Sequence, residues 1–263
     1  MNLRARILLG FLGVLATAAP LGATQLHLAG DSTMATKERQ TPNPEYGWGE
    51  ALPRYFGARL TVVNHALNGR SSKSFIAEGV WQKLVATLQP GDWVIVQFGH
   101  NDEKSDAARH TEPRGEYSAN LRRMIADVRA KHATPILATS VARRKWAADG
   151  VHLIDTHGDY LAAVREVGAA EKTPVLELNA LTTALEEAHG VEGSKRLHLW
   201  IAPGVYARSA KKGWQDDTHY SAYGADRVAA LAVQEILRLG LPLGDFLAGD
   251  PPAGAQPDAK AER

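Results

Sequence analysis

Short apolar runs alternate with longer amphipathic segments along most of the chain. The short runs are bounded by turn residues, which is typical of buried strands. These predicted strands are Gln25–Ala29, Leu60–Val63, Trp93–Phe98, Pro135–Ala138 and Pro174–Leu178. The longer segments repeat apolar residues every three or four positions and are predicted to be helices. They span Tyr117–Lys131, Tyr160–Ala170, Leu181–His189 and Ser221–Leu239. This alternation indicates an α/β fold in which helices cover both faces of a parallel sheet, a three-layer α/β/α sandwich.

The two ends of the chain differ in composition from the rest. Arg4 and Arg6 precede an apolar run over residues 7–18, and small residues follow as far as Ala23. This order predicts a secretory signal peptide over residues 1–23, and hence a secreted or periplasmic protein. The apolar run is shorter than the roughly 20 residues that span a bilayer, so no stable membrane insertion is expected after processing. An uncleaved anchor is the alternative. Residues 246–263 are rich in Pro, Ala, Gly and charge, which predicts a disordered tail after one domain over 24–245.

Composition excludes several classes of protein. The net charge is +1, so no long-range field would attract nucleic acid or an anionic membrane. The chain has no cysteine, which excludes disulfides, thiolate metal sites and a lipid anchor on cysteine. His100 has the side chain of a metal ligand, but no second ligand follows at a useful spacing. We therefore expect a monomer without metal or cofactor.

A serine follows the first predicted strand, at the edge of the sheet where ligands bind in parallel α/β folds. Polar residues also follow the next three strands, at 68–72, 99–102 and 139–144. Ser32 is a candidate nucleophile if it enters a helix there, because the helix amino terminus offers N–H groups and a positive dipole. The alternative is that Ser32 only caps that helix.

A nucleophilic serine needs a base that accepts its proton. An aspartate three residues before a histidine can meet it in a turn and fix the tautomer of the imidazole. This spacing occurs twice, at Asp149–His152 and at Asp216–His219. The second pair is favoured because it directly precedes the last long helix, from where a loop can fold back over the sheet edge. The first pair is interpreted as structural or solvated.

The same chemistry needs donors for the oxygen that becomes negative in the transition state. The backbone N–H of Ser32 is one candidate. The backbone N–H of Gly69 is a second, because glycine permits close approach. The side-chain amide of Asn101 is the third. Asp31 and Asp102 are interpreted as residues that orient the turns around these donors.

Together these residues resemble the four blocks of the SGNH (GDSL-like) hydrolases, in the family's order. The blocks are Gly-Asp-Ser at 30–32, Gly69, Gly-x-Asn-Asp at 99–102 and Asp-x-x-His at 216–219. The sequence around these blocks is similar to that of the rhamnogalacturonan acetylesterase branch, at residues 29–35, 68–75, 98–103, 139–144 and 217–224. The resemblance spans roughly residues 26–240. Asn68 departs from it, because a small residue or glycine is expected before Gly69.

The resemblance implies a flavodoxin-like sandwich with a five-stranded parallel sheet. It implies a Ser32–His219–Asp216 triad and an oxyanion hole formed by Ser32, Gly69 and Asn101. It further implies a serine esterase that removes O-acetyl groups from pectic polysaccharide without a cofactor. An esterase acting on acetylated xylan or other acyl esters is the nearer alternative, and a non-catalytic carbohydrate-binding protein is the more distant one.

Three arginines follow strand ends on the same edge of the predicted sheet. They are Arg70, Arg143 and Arg144. A guanidinium group matches the geometry of a carboxylate, so these side chains are candidates for binding the galacturonate units of a pectic substrate. Solvated surface charge is the alternative interpretation.

Overall fold

Five parallel strands form the central sheet of the computed structural model, which describes residues 24–40, 42–206, 209 and 211–249. The strands are β1 (Thr24–Gly30), β2 (Leu60–Asn64), β3 (Trp93–Gln97), β4 (Thr134–Ala138) and β5 (Val175–Leu176). Their order is β2-β1-β3-β4-β5, and every neighbouring pair is parallel. The predicted flavodoxin-like sandwich with five strands is therefore confirmed. The predicted signal peptide lies outside the described residues.

Seven helices in the described part of the chain surround the sheet. They are α1 (Trp48–Ala51), α2 (Ser72–Ala77), α3 (Val80–Thr87), α4 (Ser118–Ala130), α5 (Asp159–Ala170), α6 (Leu178–Gly193) and α7 (Ala222–Arg238). The backbone of α6 leaves helical geometry at Gly190, directly after the predicted end of this helix at His189. None of these helices has the length and apolarity needed to cross a bilayer.

Alternate residues of each central strand enter two separate cores. Ile95 joins the core formed with α1 and α7, whereas Val94 and Val96 join the core formed with α2, α3, α4 and α5. Because side chains point to opposite faces in turn and both faces are covered, these strands are apolar at nearly every position. Because all five strands are parallel, their carboxyl ends lie at one edge of the sheet.

A two-stranded antiparallel hairpin, β6 (His198–Ile201) and β7 (Trp214–Tyr220), precedes α7. The prediction of a loop before the last helix is therefore wrong. The pairing skips residues on β7, because His198 pairs with Tyr220 whereas the adjacent Leu199 pairs with Asp216. Residues 217–219 therefore form a bulge. The sequence of β7 is too polar to show the alternation by which strands are recognised.

The chain after α7 packs back onto the domain for several residues. Phe246 accepts a hydrogen bond from Gly57 N at 2.9 Å, and Ala248 N donates to Tyr55 O at 3.0 Å. Leu247 pairs with Phe56 in an isolated bridge. The domain therefore continues at least to residue 248, within the segment predicted to be a tail. The remainder of that segment, 250–263, lies outside the described residues.

Candidate active site

Ser32 lies in a tight turn immediately after β1. Met34 N and Ala35 N both donate to Asp31 O, at 3.2 and 3.0 Å. The Asp31 carboxylate accepts from the backbone and hydroxyl of Thr33, at 2.9 and 2.8 Å. The first helix begins only at residue 48. The expectation that Ser32 enters a helix is therefore wrong, and so is the alternative that it caps one.

Glycine at position 47 allows a second segment to pack closely against this turn. A Cβ atom at Gly47 would lie 2.2 Å from Ala35 O, well inside contact distance. Trp48 N also donates to Thr33 O at 2.9 Å. The turn that carries Ser32 is thus held by its own Asp31 and by the start of α1.

His219 and Asp216 lie beside Ser32 in hydrogen-bonding geometry. The Nε2 atom of His219 is 2.9 Å from Ser32 Oγ, and its Nδ1 atom is 2.8 Å from Asp216 Oδ2. One ring nitrogen can therefore receive the serine proton while the other donates to the carboxylate. This is the arrangement that activates a serine hydroxyl for attack on a carbonyl group.

The bulge in β7 is what lets Asp216 and His219 meet. The Oδ1 atom of Asp216 accepts from the backbone N–H groups of Thr218 and His219, each at 2.9 Å. Asp149 makes the same turn, accepting from Val151 N at 2.9 Å and His152 N at 3.1 Å. The spacing therefore produces the same local structure twice, and the fold brings only the later pair to a serine.

The Asp216–His219 pair shifts the titration of both groups. Burial raises the pKa of the Asp216 carboxyl, but the hydrogen bonds and charge of His219 outweigh burial and hold that pKa well below its usual range. Burial lowers the pKa of His219, whereas Asp216 and the Glu45 carboxylate raise it, and the net pKa lies above its ordinary value. The pair therefore favours the imidazolium that forms when serine gives up its proton.

Hydrogen bonds join the segments that carry the three candidate oxyanion donors, because Lys37 Nζ donates to both Ser32 O and Asn68 Oδ1 and Asn101 lies against Arg70. Gly69 has a φ of +76°, which favours glycine, and a Cβ there would meet nothing within 4 Å. Within the described residues, Ser32 N and Gly69 N take part in none of the backbone–backbone hydrogen bonds of turns and loops. Asn101 Nδ2 donates to Arg70 O at 3.0 Å, which uses one of its two hydrogens. Among the described residues, the other hydrogen has no hydrogen-bond partner.

Asp102 joins the loop of Asn101 to the start of α2. Its carboxylate accepts from Ser72 Oγ at 2.6 Å, from Ser72 N at 3.1 Å and from Thr111 Oγ1 at 3.0 Å. Burial raises the pKa of Asp102 to about 6, in spite of these bonds. Asp102 thus ties down the loop, as the sequence predicted.

Comparison with known proteins agrees with this geometry. The model of the GDSL-like Lipase/Acylhydrolase family matches residues 28–227. The chain belongs to this family. Membership makes it a carboxylic ester hydrolase.

Two relatives of this GDSL-like hydrolase come from Bacillus subtilis (strain 168). The rhamnogalacturonan acetylesterase RhgT is 38% identical over 85% of this chain and 94% of its own length. The probable rhamnogalacturonan acetylesterase YesY is 36% identical over 86% of this chain and 98% of its own. The crystal structure of protein YxiM from Bacillus subtilis superposes with a TM-score of 0.71 at 28% identity. That match covers 85% of this chain and 58% of the other.

The three candidate arginines of this GDSL-like hydrolase follow strand ends at the carboxyl edge of the sheet, here called the rim, and they have different surroundings. Arg70 pairs with Glu78 at 2.9 Å and is partly exposed. Arg143 pairs with Glu103 and donates to Thr156 Oγ1 at 3.1 Å. It also lines a cleft of about 360 Å³ between the loop after β4 and α6.

The Arg144 side chain is buried and makes structural hydrogen bonds within the domain. Its side chain is 5% exposed, and it binds Asp217 Oδ1 at 2.9 Å and Ser194 Oγ at 2.9 Å. A third bond goes to Val191 O. Arg144 therefore links the hairpin to the end of α6, whereas Arg70 and Arg143 are the more accessible of the three.

The described residues contain no group of three or more histidine, aspartate and glutamate side chains able to hold a metal ion. His100 is 3% exposed, and its ring lies edge-on against His157 with 4.5 Å between centroids. The burial of this histidine was not predicted from the sequence.

Two side chains near Ser32, those of Lys37 and Glu45, were not predicted from the sequence to belong to the site. Lys37 is buried and ion-paired with Glu45 at 2.7 Å. Both residues lie in the polar stretch 36–45, which is typical of a solvated loop. No local pattern distinguishes a lysine that will be buried from one that will not.

Proposed function

We propose that the protein is a serine esterase that removes O-acetyl groups from rhamnogalacturonan through an acetyl-serine intermediate. The observation that carries the chemistry is the 2.9 Å contact between His219 Nε2 and Ser32 Oγ, with Asp216 behind the imidazole. The substrate class is supported by the name of the relative RhgT, which matches nearly along its whole length.

In the first step Ser32 Oγ attacks the acetyl carbonyl while His219 Nε2 accepts the hydroxyl proton. The Asp216 carboxylate stabilises the resulting imidazolium through Nδ1. The negative oxygen of the tetrahedral intermediate accepts hydrogen bonds from Ser32 N–H, Gly69 N–H and the free amide hydrogen of Asn101. When the intermediate collapses, His219 returns the proton to the departing sugar hydroxyl, and acetyl-Ser32 remains.

In the second step water takes the place of the sugar. His219 Nε2 accepts a proton from this water as its oxygen attacks the acetyl carbonyl. The same three donors stabilise the second tetrahedral intermediate. Its collapse releases acetate, and the proton on His219 returns to Ser32 Oγ.

The substrate carries a carboxylate on every galacturonate unit, and we propose that rim arginines bind these groups. Arg143 is the stronger candidate, because it lines the cleft beside the Asn101 loop and also donates to His100 O at 3.4 Å. Arg70 is accessible as well. Arg144 has the lesser claim, because its side chain is 5% exposed and is held inside the fold by Asp217, Ser194 and Val191.

The direct test is acetate release from acetylated rhamnogalacturonan and acetylated xylan, by wild type and by Ser32→Ala. Release from the pectic substrate that disappears in the variant is the expected result. Release mainly from xylan would keep the chemistry and overturn the substrate. Release that persists in Ser32→Ala would overturn the nucleophile. If no ester releases its acyl group and Ser32 is not labelled by a fluorophosphonate probe, a non-catalytic binding protein would be favoured.

We also propose that residues 1–23 direct export and are removed. The basic start, the apolar run and the small residues that follow support this. Amino-terminal sequencing of the protein recovered outside the cytoplasm should show a start after Ala18 or near Ala23. An intact amino terminus in the membrane fraction would indicate an anchor instead.

A further inference from the structure

The Lys37 side chain is buried beside the turn that carries Ser32. Only 1% of it is exposed. Its Nζ atom donates to Ser32 O at 2.5 Å and to Asn68 Oδ1 at 2.7 Å, and it lies 2.7 Å from Glu45 Oε1. An ammonium group has three hydrogens and no acceptor, so these three partners use its full capacity. Lysine is almost never buried unless it is paired in this way.

Two of these partners belong to the segments that carry the backbone donors of the oxyanion hole. Ser32 supplies one N–H itself. Asn68 directly precedes Gly69, and the Asn68 carbonyl and the Gly69 N–H share one planar peptide group. That carbonyl accepts from Arg70 Nη1 at 2.9 Å. Asn68 is therefore held at its side chain by Lys37 and at its carbonyl by Arg70, and the direction of the Gly69 N–H is fixed.

This arrangement gives a physical reason for asparagine at position 68. A glycine or another small residue there would have no oxygen that reaches the ammonium group. The Asn68 amide oxygen spans the gap between the loop after β2 and the turn after β1. The two loops come from neighbouring strands, and the backbone hydrogen bonds between them continue past Asn64 to Leu67 N, which donates to Gly30 O at 3.0 Å. Lys37 adds a side-chain link one residue further along, at Asn68.

Glu45 and its surroundings offset the cost of burying a cation. A buried charge without a partner is strongly unfavourable, whereas a close carboxylate compensates it. The Lys37 backbone N–H donates to Glu50 Oε2 at 3.1 Å, and Arg39 Nη2 donates to the same carboxylate at 2.8 and 2.9 Å. The segment between the turn and α1 is thereby anchored, and Lys37 has a fixed base from which to reach the loops.

We propose that Lys37 is a positioning residue, which bridges the two loops so that the N–H groups of Ser32 and Gly69 point at one oxyanion. The inference rests on the proposed esterase function. Lys37 itself cannot touch substrate, since its side chain is almost fully enclosed. Its effect passes through Ser32 and Asn68, and it acts on the transition state rather than on substrate binding.

The test compares Lys37→Met, Asn68→Ala and the double variant on p-nitrophenyl acetate, a small ester without polysaccharide contacts. Each single variant should lower kcat about 10- to 100-fold, because displacement of a catalytic group by about 1 Å can cost a hundredfold. KM should change less than about threefold. The double variant should be no slower than the slower single variant, because both changes break the same bridge.

Rates are compared on the high-pH plateau, so that removing a positive charge near His219 does not alter the fraction of neutral imidazole. Lys83→Met, on the exposed face of α3, is the matched control and should keep full activity. Circular dichroism and thermal unfolding check each fold. If Lys37→Met does not fold, Asn68→Ala carries the test, because it leaves Lys37 bonded to Ser32 O and Glu45.

Three results would overturn the positioning role: full kcat in Asn68→Ala, a loss that lies entirely in KM, or losses that multiply in the double variant. Ser32→Ala separates this from the proposed function. If Ser32→Ala keeps turnover, the esterase mechanism itself is wrong. If Ser32→Ala is inactive and Asn68→Ala is unimpaired, only the role of Lys37 fails.

Discussion

His219 Nε2 lies 2.9 Å from Ser32 Oγ, although the two residues are 187 positions apart along the chain. The serine is delivered by the end of β1, and the histidine by a bulge in a hairpin outside the main sheet. Asp216 travels with the histidine, since both belong to the same bulge. The reaction geometry thus depends on one local turn and on one long-range contact.

Asp216→Asn should lower kcat by about 10⁴-fold, because an amide in place of the carboxylate favours the wrong imidazole tautomer and leaves the imidazolium unstabilised. The amide oxygen can still accept from Thr218 N and His219 N, so the bulge should survive. Asp149→Asn changes the same kind of turn at a site without a serine and should leave kcat unchanged. Steady-state kinetics on p-nitrophenyl acetate compares the two. Equal activity in both variants would contradict the role of Asp216.

The pH dependence of kcat/KM should show an acid limb with its midpoint above pH 6.5. The base must be neutral to accept the serine proton, so activity falls as pH drops through the pKa of His219. The net effect of burial, Asp216 and Glu45 raises that pKa above the ordinary histidine value. Asp216→Asn should move the midpoint to lower pH, because the residual activity then depends on a less basic imidazole. A midpoint that does not move would mean that another group controls the limb.

Asn101→Ala should lower kcat by about 10²–10³-fold, the usual effect of removing one oxyanion donor. KM should change little, because the ground-state carbonyl oxygen gains less from the amide than the oxyanion does. Thermal unfolding should confirm that the loop tied by Asp102 is intact. A variant with near-normal kcat would remove Asn101 from the oxyanion hole.

Arg143→Ala should raise KM for acetylated rhamnogalacturonan and leave p-nitrophenyl acetate turnover within about threefold. The reason is that only the polysaccharide offers a carboxylate for the guanidinium group. The loss on rhamnogalacturonan should shrink at high salt, since partly exposed charge pairs are screened. Equal losses on both esters would indicate that Arg143 supports the loop through Glu103 instead.

Asp102→Asn should change how stability depends on pH. The folded-state pKa of Asp102 is raised to about 6 from 3.8. The folded protein therefore binds more protons than the unfolded chain between these values, and stability from this group is lost as pH rises through that window. Relative to the Asp102→Asn variant, wild type should lose roughly 2 kcal/mol of unfolding free energy between pH 4 and pH 7. Urea titrations at several pH values measure the difference, and parallel curves would contradict the raised pKa.

Much of the sheet and helix layout was predictable because burial on both sides makes strands such as β3 continuously apolar. The clustering of Ser32, Gly69 and Asn101 was also predictable, since parallel strands place their carboxyl ends at one edge. The hairpin was not, because β7 carries Asp216 and His219 where an ordinary strand carries apolar residues. The turn at Ser32 was wrongly expected to be a helix, because the turn and a helix start share the same polar residues.

Lys37 shows a different limit of sequence reasoning. Its burial depends on Glu45 and Asn68, which lie 8 and 31 positions away and have no periodic relation to it. Such a cluster is defined only when loops from separate strands are placed together.

The triad comes from two separate parts of the fold, the turn after β1 and the bulge in β7. The Asp216–His219 pair is closed by its own backbone and does not need the sheet. Within the triad, the Ser32–His219 hydrogen bond joins the two parts. The position of the hairpin is also held by Tyr46 N, which donates to Tyr220 O at 2.9 Å, and by Arg144, which binds Asp217. In the proposed mechanism, a sideways shift of the hairpin would lengthen the distance between Ser32 Oγ and His219 Nε2 while the Asp216–His219 hydrogen bond stayed intact, so the serine would lose its base without any change in the acid–base pair.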